Sequence, residues 1–308
     1  MRGLVHTRRL AIASILCLAG MDAEAREPGI ALSYPPGPTL GLPIAVPLKP
    51  GGYVASRSTY QNVSAIDNNG QAIGQYLDAF GEALQFTWVP EGKILEGTFR
   101  MFLLQPFVDL TQTRTYPMPP AAHGKANQFG LANLKFQFFN LSWSLGDGFD
   151  AATGISVYFP TGQWAPNAVV NIGANFWTFE PSVAFTYFKD GWNASVHAVY
   201  DTNTRNPQNQ YYSGDMLVLN GIVTKNLAGF DIGPVGYYAK QVTSDSNLGG
   251  PTVFGGTNAL PPELYAIGGI VGRQLDKFYV QFMYTQDVYA RNAYIGGKAW
   301  IGITFKMY

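Results

Sequence analysis

The chain has 308 residues, of which 47% are hydrophobic, 14% aromatic and only 13% charged, and its formal net charge is zero. Soluble proteins carry about 25% charged residues, so this composition disfavours an ordinary soluble protein. The balanced charge also gives no support to nucleic-acid binding, which needs a basic surface.

The first 25 residues have the pattern of a secretory signal peptide. Arginines precede an apolar run from Leu10 to Met21, and Ala23 and Ala25 supply the small residues that signal peptidase accepts. The apolar run is too short to span a membrane as a helix. We therefore expect a signal peptide over residues 1–25, cleavage before Arg26 and export of the mature chain.

Residues 26–50 form a proline-rich N-terminal arm. Seven prolines remove amide donors, so the arm cannot form a long helix or strand. It is nevertheless too apolar for an ordinary solvated tail. Its apolar residues are Ile30, Leu32, Tyr34, Leu40, Leu42, Ile44, Val46 and Leu48. Two placements are open: the arm is a partial plug in the lumen of a barrel, or it binds a periplasmic partner.

From residue 51 to 308 the chain divides into strand-sized runs. The predicted strands are 52–65, 75–90, 94–110, 128–144, 149–161, 173–188, 192–203, 211–226, 229–243, 263–274, 278–288 and 296–308. No window has the roughly 18 uninterrupted apolar residues of a membrane-spanning helix. Only helices and closed barrels satisfy every backbone group in lipid. The sequence therefore predicts an all-β fold, a transmembrane antiparallel β-barrel of about 12 strands over residues 51–308.

The connectors between these runs alternate in length. Tight connectors are predicted at 91–93, 145–148, 189–191, 226–228 and 275–277, and longer ones at 66–74, 111–127, 162–172, 204–210, 244–262 and 289–295. Bacterial outer-membrane barrels have short periplasmic turns and longer extracellular loops. This alternation predicts location in the bacterial outer membrane, with both ends of the barrel chain in the periplasm.

The last run shows side-chain alternation clearly. Its apolar residues Ala299, Ile301, Ile303, Phe305 and Met307 share one face, because side chains alternate along a strand, and Tyr308 falls on the other face. We expect this strand to close the barrel and to be the segment that the barrel-assembly machinery recognises. By contrast, residues 101–105 and 216–220 are apolar on both faces, which indicates either a partly apolar lumen or a register error of one residue.

Eight ionisable residues fall on the predicted lumen-facing parity. They are Arg100, Lys135, Glu180, His197, Asp201, Lys240, Arg273 and Asp287. Their mixed signs argue against strong selection for anions or cations. Mutual pairing that stiffens the barrel and a ligand site are both open, because an isolated charge in a narrow lumen is costly.

Candidate catalytic and cofactor residues are scarce. No metal-ligand spacing or phosphate-binding glycine motif occurs, so we expect neither metal nor cofactor. Ser195 and His197 share a strand face, which leaves a membrane-embedded hydrolase open as an alternative. Their Cα atoms would lie about 7 Å apart, which does not by itself activate a nucleophile. We therefore expect that the protein is not an enzyme.

Four runs in the second half of the chain carry a resemblance to a known family. They are Phe159 to Trp164, Asn171 to Pro181, Tyr211 to Asp215, and Gly233 to Tyr238 with Gln241 and Asp245. Together they resemble the outer-membrane barrels named for the MetA pathway of phenol degradation, also described as the SphA family of transporters. The resemblance implies an outer-membrane barrel associated with the breakdown of aromatic or other apolar compounds, and it implies no particular functional residues.

The sequence thus favours an outer-membrane channel that passes small apolar or aromatic solutes into the periplasm. Its expected partners are outer-membrane lipid, the assembly machinery and the solute. One alternative is a general or structural barrel without a dedicated substrate, and the other is the hydrolase.

Overall fold

The structure is a computed structural model that describes residues 27–307 apart from 28, 31, 116–123, 167, 169 and 251–257. The predicted signal peptide and Tyr308 lie outside the described residues, so the expectations for both stay predictions. In the described part of the chain, no helix is long and apolar enough to span a membrane.

Within the described residues the chain forms sixteen strands. They are β1 (Gly51–Ile66), β2 (Ala72–Val89), β3 (Thr98–Phe99), β4 (Met101–Arg114), β5 (Gly124–Leu131), β6 (Lys135–Gly146), β7 (Phe149–Tyr158), β8 (Thr178–Lys189), β9 (Trp192–Asn203), β10 (Tyr211–Tyr212), β11 (Met216–Leu227), β12 (Phe230–Gln241), β13 (Ser246–Asn247), β14 (Glu263–Leu275), β15 (Phe278–Arg291) and β16 (Ala293–Lys306).

Twelve wall strands close into an antiparallel barrel. The short strand β3 continues into β4, and β5 continues into β6, so each pair forms one interrupted wall strand, while β10 and β13 pair separately outside the wall. Strand β1 pairs with both β2 and β16, and β4 pairs with β6 as well as β2. Closure leaves no unpaired edge in lipid. The predicted twelve-stranded barrel is confirmed.

One end of the barrel, here called the turn end, carries two-residue turns after β6, β8, β11 and β14. In each turn a residue with positive φ occupies the first position, namely Asp147, Asp190, Ala228 and Asp276. Positive φ at the turn matches the twist of antiparallel strands. The first residue of β1 and the last of β16 also lie at this end, which faces the periplasm in outer-membrane barrels.

The opposite end, the loop end, is uneven in height. Long connectors follow β7, β9 and β12, but β1 and β2 are joined by residues 67–71, and Asn292 alone joins β15 to β16. The predicted long loops at 66–74 and 289–295 are therefore wrong, because the strands extend further than expected. Asn292 has a φ of 49°, a left-handed conformation that asparagine tolerates and that permits this one-residue connection.

Candidate functional site in the barrel lumen

Alternation along the wall strands separates a lumen face from an outward face. On β8 the outward residues Phe179, Val183 and Phe185 are about half exposed, whereas Glu180 and Thr186 on the other parity are buried. The same pattern on β9 and β15 agrees with the parity expected from sequence. The inward residues of all twelve wall strands therefore define the candidate site.

The lumen wall is apolar on one side. The inward side chains of β9, β11, β12, β14, β15 and β16 form a single buried cluster that includes Met216, Val218, Ile270, Met283 and Trp300. The run at 216–220, apolar on both faces in the sequence, thus has apolar residues in the lumen. Of the two readings left open for that run, a partly apolar lumen is the correct one.

Residues of the N-terminal arm contact this cluster. Tyr34 and Leu40 belong to it and are 3% and 1% exposed. Gly37 and Gly41 have positive φ, and a Cβ atom at Gly41 would lie only 2.3 Å from Gln281 Oε1 and 2.4 Å from Ile270 Cδ1. Glycine is needed here because the arm backbone lies directly against the wall.

Polar wall residues bind the backbone of the arm. Side chains of β8, β9 and β11 accept hydrogen bonds from its amides: Tyr34 N donates to Asp201 Oδ2 at 3.2 Å, Gly37 N to Asn220 Oδ1 at 2.9 Å, and Ala45 N to Thr186 Oγ1 at 3.1 Å. Two arginines donate to its carbonyls. Arg57 reaches the Leu40 oxygen at 3.1 Å and Arg100 reaches the Ile44 oxygen at 2.9 Å. Backbone groups without strand partners are thereby satisfied inside the barrel.

A buried ion pair lies beside the arm. Lys135 Nζ on β6 is 2.5 Å from Glu180 Oε1 on β8, and both side chains are almost completely buried. The same ammonium group lies 5.0 Å from the ring centres of Tyr34 and Tyr158 and 5.6 Å from that of Phe102. Aromatic faces attract a cation, so the charge of this lysine is balanced by one carboxylate and further stabilised by three rings.

A second ion pair joins β15 and β16. Lys298 Nζ lies 3.1 Å from Asp287 Oδ2, and the Tyr237 hydroxyl donates to Asp287 Oδ1 at 2.5 Å. The Gly296 amide also donates to Asp287, at 3.1 Å. Because both charges are paired and hydrogen-bonded, they can remain in the lumen at modest cost.

The structure places six of the eight predicted lumen residues inward. Arg100, Lys135, Glu180, His197, Asp201 and Asp287 face the lumen, and five of these lie in the arm contacts and the ion pair beside them. His197 Nδ1 lies 3.1 Å from the Thr39 hydroxyl of the arm.

Lys240 and Arg273 are corrections to the predicted set. On β12 the buried parity is that of Tyr237 and Ala239, so Lys240 points outward, 3.6 Å from Glu263. On β14 the buried parity is that of Ala266 and Ile270, so Arg273 is exposed on the outward face, 4.5 Å from the centre of the Phe230 ring. Neither residue lines the lumen.

Sequence reasoning named Tyr34 among the apolar residues of the arm, but it did not single out Arg57 or Lys298. Lys298 fell on the non-lipid parity of the last strand, which was a usable signal. Arg57 had no such signal, because its outward neighbours Ser56 and Ser58 are polar too.

At the loop end, Glu27 of the arm is 2% exposed. Its carboxylate accepts hydrogen bonds from Asn206 Nδ2 at 3.0 Å and Asn209 Nδ2 at 2.7 Å, and its amide donates to Ser213 Oγ at 3.0 Å. These contacts hold the start of the described arm among the loops. The arm therefore runs through the lumen from the loops to Gly51 at the turn end.

The loop beside Glu27 is fixed by Tyr211 and Asp245, two positions of the family resemblance. The Tyr211 hydroxyl donates to Asp245 Oδ2 at 2.5 Å, and the Gly214 amide donates to Asp245 Oδ1 at 2.6 Å. Burial, and then the nearby Asp245 charge, raise the pKa of Tyr211 above its ordinary value, which is itself well above neutral pH, so its hydroxyl is a donor. These motif residues stabilise loop structure.

The described residues contain no cluster of three or more His, Cys, Asp or Glu side chains that could hold a metal ion. The Ser195 hydroxyl bonds to Asn193 Oδ1 at 2.7 Å and lies 2.9 Å from the Thr186 hydroxyl, while the His197 ring lies against Thr39 and Tyr34. Ser195 and His197 thus have separate partners.

Comparison with solved structures supports the fold. The COG4313 outer membrane channel from Pseudomonas putida F1 superposes with a TM-score of 0.70 and 13% identity, covering 84% of this chain and 96% of that one. The β domain of the Bordetella autotransporter BrkA gives a TM-score of 0.46, with 13% identity over 83% of this chain and 99% of that one. Only the first likeness is informative, because the second has a TM-score below 0.5. At 13% identity the first likeness concerns the fold alone.

Comparison with curated protein sequences finds no match. A family model described as "Putative MetA-pathway of phenol degradation" matches residues 62–303, most of the barrel. This match shows that the chain belongs to that family, and its twelve-stranded wall has the fold of outer-membrane β-barrels.

Proposed function

We propose that the protein passes small apolar or aromatic compounds across the outer membrane into the periplasm, through a lumen that the N-terminal arm occupies as a partial plug. The observation that carries this proposal is the apolar lumen wall of Met216, Val218, Ile270, Met283 and Trp300. A channel for hydrophilic solutes needs a polar, hydrated lumen, whereas this wall offers an apolar solute a favourable surface.

The way in which the arm is held supports its role as a plug, because all of these contacts are non-covalent and can break and re-form. It is held by hydrogen bonds and by the packing of Tyr34 and Leu40, with turns at Gly37 to Leu40 and Pro43 to Val46 and a single β-bridge, from Ile30 to Asn171 in the loops. Because the described arm residues form no ladder with a wall strand, the arm can move while the barrel stays closed. Displacement of the arm would expose the apolar cluster to an incoming solute.

The other functional assignments are weaker. A hydrolase built on Ser195 and His197 is disfavoured because the two side chains have different partners. A structural barrel without a dedicated substrate is the remaining alternative, since an arm that never moved would keep the lumen filled. We also propose that the assembly machinery recognises β16, which closes the wall against β1.

The plug is tested by joining the signal peptide directly to Gly51 and recording the variant in planar bilayers. We expect larger or more frequent conductance steps than the full-length barrel gives, because the polar wall residues Arg57, Arg100 and Asn220 become hydrated. Unchanged conductance from a properly folded variant would overturn the plug.

The solute class is tested by accumulation of a labelled aromatic compound and of a sugar of similar mass in cells that express the protein. We expect saturable, protein-dependent accumulation of the aromatic compound and little effect on the sugar. Replacing Met283 by Lys should reduce aromatic uptake, and the outward variant Phe282→Leu is the matched control on the same strand. Equal, unsaturable entry of both solutes would favour the barrel without a dedicated substrate.

A further inference from the structure

A polar patch lies on the outward face of β1 and β2. Its members are Ser56, Ser58, Asn62, Asp78 and Glu82. They share the parity of residues that are about half exposed, such as Phe80 and Leu84, while Val63 and Ala79 on the opposite parity are buried toward the lumen. This β1–β2 patch therefore faces away from the lumen.

Glu82 lies at mid-depth of the apolar band. Along β2, an exposed tyrosine lies six positions before it, at Tyr76, and an exposed tryptophan six positions after it, at Trp88, with the exposed apolar rings of Phe80 and Phe86 between them. Aromatic girdles mark the two membrane interfaces of such barrels, so a residue midway between them lies near the bilayer centre. In the same cross-strand row, Ser58 separates Glu82 from Ile301, which is half exposed.

No comparable feature occurs in the described wall strands from β8 to β16. There, outward Asp, Glu, Lys and Arg residues lie within two residues of a strand end, where the interface begins. They are Lys189, Lys225, Lys240, Glu263, Arg273 and Arg291. Chance tolerance would scatter charged residues over the whole wall. Away from strand ends, however, outward acidic residues lie on β2, at Asp78 and Glu82, and on its neighbour β4, at Asp109.

The patch is already hydrogen-bonded within itself. Ser56 Oγ donates to Glu82 Oε1 at 2.6 Å, Ser58 Oγ donates to Glu82 Oε2, and Asn62 Nδ2 donates to Asp78 Oδ1. A carboxylate has about four acceptor sites, so these contacts do not exhaust its capacity. Acyl chains offer no donor, and leaving such groups against lipid is costly.

The arrangement of donors and acceptors is self-complementary. In the β1–β2 register, Ser58 lies opposite Glu82, Tyr60 opposite Phe80, and Asn62 opposite Asp78. Strand β1 thus presents donors at the levels where β2 presents acceptors, with an aromatic pair between them.

Two copies in one membrane insert the same way round, so a two-fold axis relating them runs along the membrane normal and brings equal depths together. An axis between β1 and β2 would set β1 of each copy against β2 of the other. Ser58 and Asn62 of each copy would then lie at the depths of Glu82 and Asp78 of the other, and the second N–H of Asn62 could donate across the interface. Tyr60 would meet Phe80. We propose that the β1–β2 patch is the interface between two copies of this chain in the outer membrane.

The interface is tested by cysteine cross-linking of the full-length protein in outer membranes. Tyr60→Cys lies next to the proposed axis, so mild oxidation should give a disulfide-linked species of twice the monomer mass. Val183→Cys, equally exposed on β8, is the matched control and should remain monomeric. The wild-type chain, whose only cysteine is Cys17 in the predicted leader, gives the background.

Native mass spectrometry in mild detergent gives a second measurement. The wild-type protein should show a dimer mass, and the double variant Asp78→Leu/Glu82→Leu should lose it. The double variant should still give the heat-shifted band, the gel band of a folded barrel whose position changes when heating unfolds it. The proposal is overturned if Tyr60→Cys gives no more dimer than Val183→Cys, if it links to a protein of another mass, or if the wild-type protein is only monomeric. If the double variant does not fold, the cross-linking comparison decides.

Discussion

The outward surfaces of two parts of the barrel obey different rules. From β8 to β16 the outward residues are apolar along the whole membrane depth, as Val183, Val196 and Ile301 illustrate. On β1 and β2 the same depth carries Ser58 and Glu82, hydrogen-bonded to each other. Closure of the barrel satisfies the backbone hydrogen-bonding groups of every wall strand. The outward side chains, by contrast, differ according to what each part of the wall contacts. The first surface fits lipid, and the second requires polar partners.

The largest effect is expected where the two surfaces meet, at the seam between β1 and β16. Removal of Phe305 to Tyr308 deletes the partners of Tyr53 and Val54 and leaves the barrel edge unpaired at the turn end. We expect assembly to fail, seen as loss of the heat-shifted band on a gel. A wild-type level of that band would show that the closing strand has been misidentified.

A second test measures how much a buried charge in the lumen depends on its ion-pair partner, as a reference for the charges on the outward surface. Lys135→Met leaves Glu180 buried without its cation, and should cost about 3–5 kcal/mol in urea titrations in lipid vesicles. The double variant Lys135→Met/Glu180→Gln should recover much of this loss. If the single variant is neutral, the ion pair does not support the fold.

The contrast between the outward surfaces is tested most directly by inserting the same charge into each. Val196→Arg, on the apolar surface, should destabilise the barrel by about 2–4 kcal/mol if it lies near the bilayer midplane. Ser58→Arg should cost clearly less, since the guanidinium can pair with Glu82 on the adjacent strand.

His197→Arg, on the lumen face next to Val196, should also cost less than Val196→Arg and serves as the parity control. Vesicle folding titrations measure all three variants. Equal losses for Val196→Arg and His197→Arg would mean that the assigned faces are wrong. Equal losses for Val196→Arg and Ser58→Arg would remove the distinction between the two outward surfaces.

The smallest effect is expected from trimming the patch itself. Ser58→Ala removes one of the two hydroxyl donors to Glu82 and should cost about 1 kcal/mol. Ser64→Ala, on the same outward face nearer the loop end, is the matched control and should change the free energy of unfolding by less than about 0.5 kcal/mol. A larger loss for the control would show that the hydrogen bonds to Glu82 are not what matters.

Alternation predicted the faces well wherever the lumen is polar and the outside is lipid. On β8 and β9, inward Glu180 and Asp201 contrast with outward Phe185 and Val196, so the parity was readable. The barrel, the strand number and both barrel ends followed from such strands and from the turns between them.

Alternation failed for Lys240 and Arg273 because their strands are apolar on both faces. On β14, Ile270 faces the lumen and Ile267 faces outward. The inward face is apolar because Leu40 of the arm packs against it, a contact separated in sequence by more than two hundred residues. Local periodicity carries no information on such a contact.

The failure at Arg57 has the opposite cause, since the outward face of β1 is polar. Ser56 and Ser58 flank Arg57, so neither parity of this strand looked apolar. The placement of the arm was likewise left open by composition alone. A list of prolines and apolar residues cannot specify that Arg57 and Arg100 bind its carbonyls.

The long sequence separations between the arm and the wall also bear on how the molecule folds. Glu27 and Ser213 are 186 positions apart, and Gly37 and Asn220 are 183 apart. Such contacts raise the contact order, and high contact order slows folding, because a long loop must close before any contact compensates its entropy. The partners of the arm lie on β8, β9 and β11, far along the chain from the arm itself. We therefore expect the arm to dock late and slowly, after most of the wall has formed.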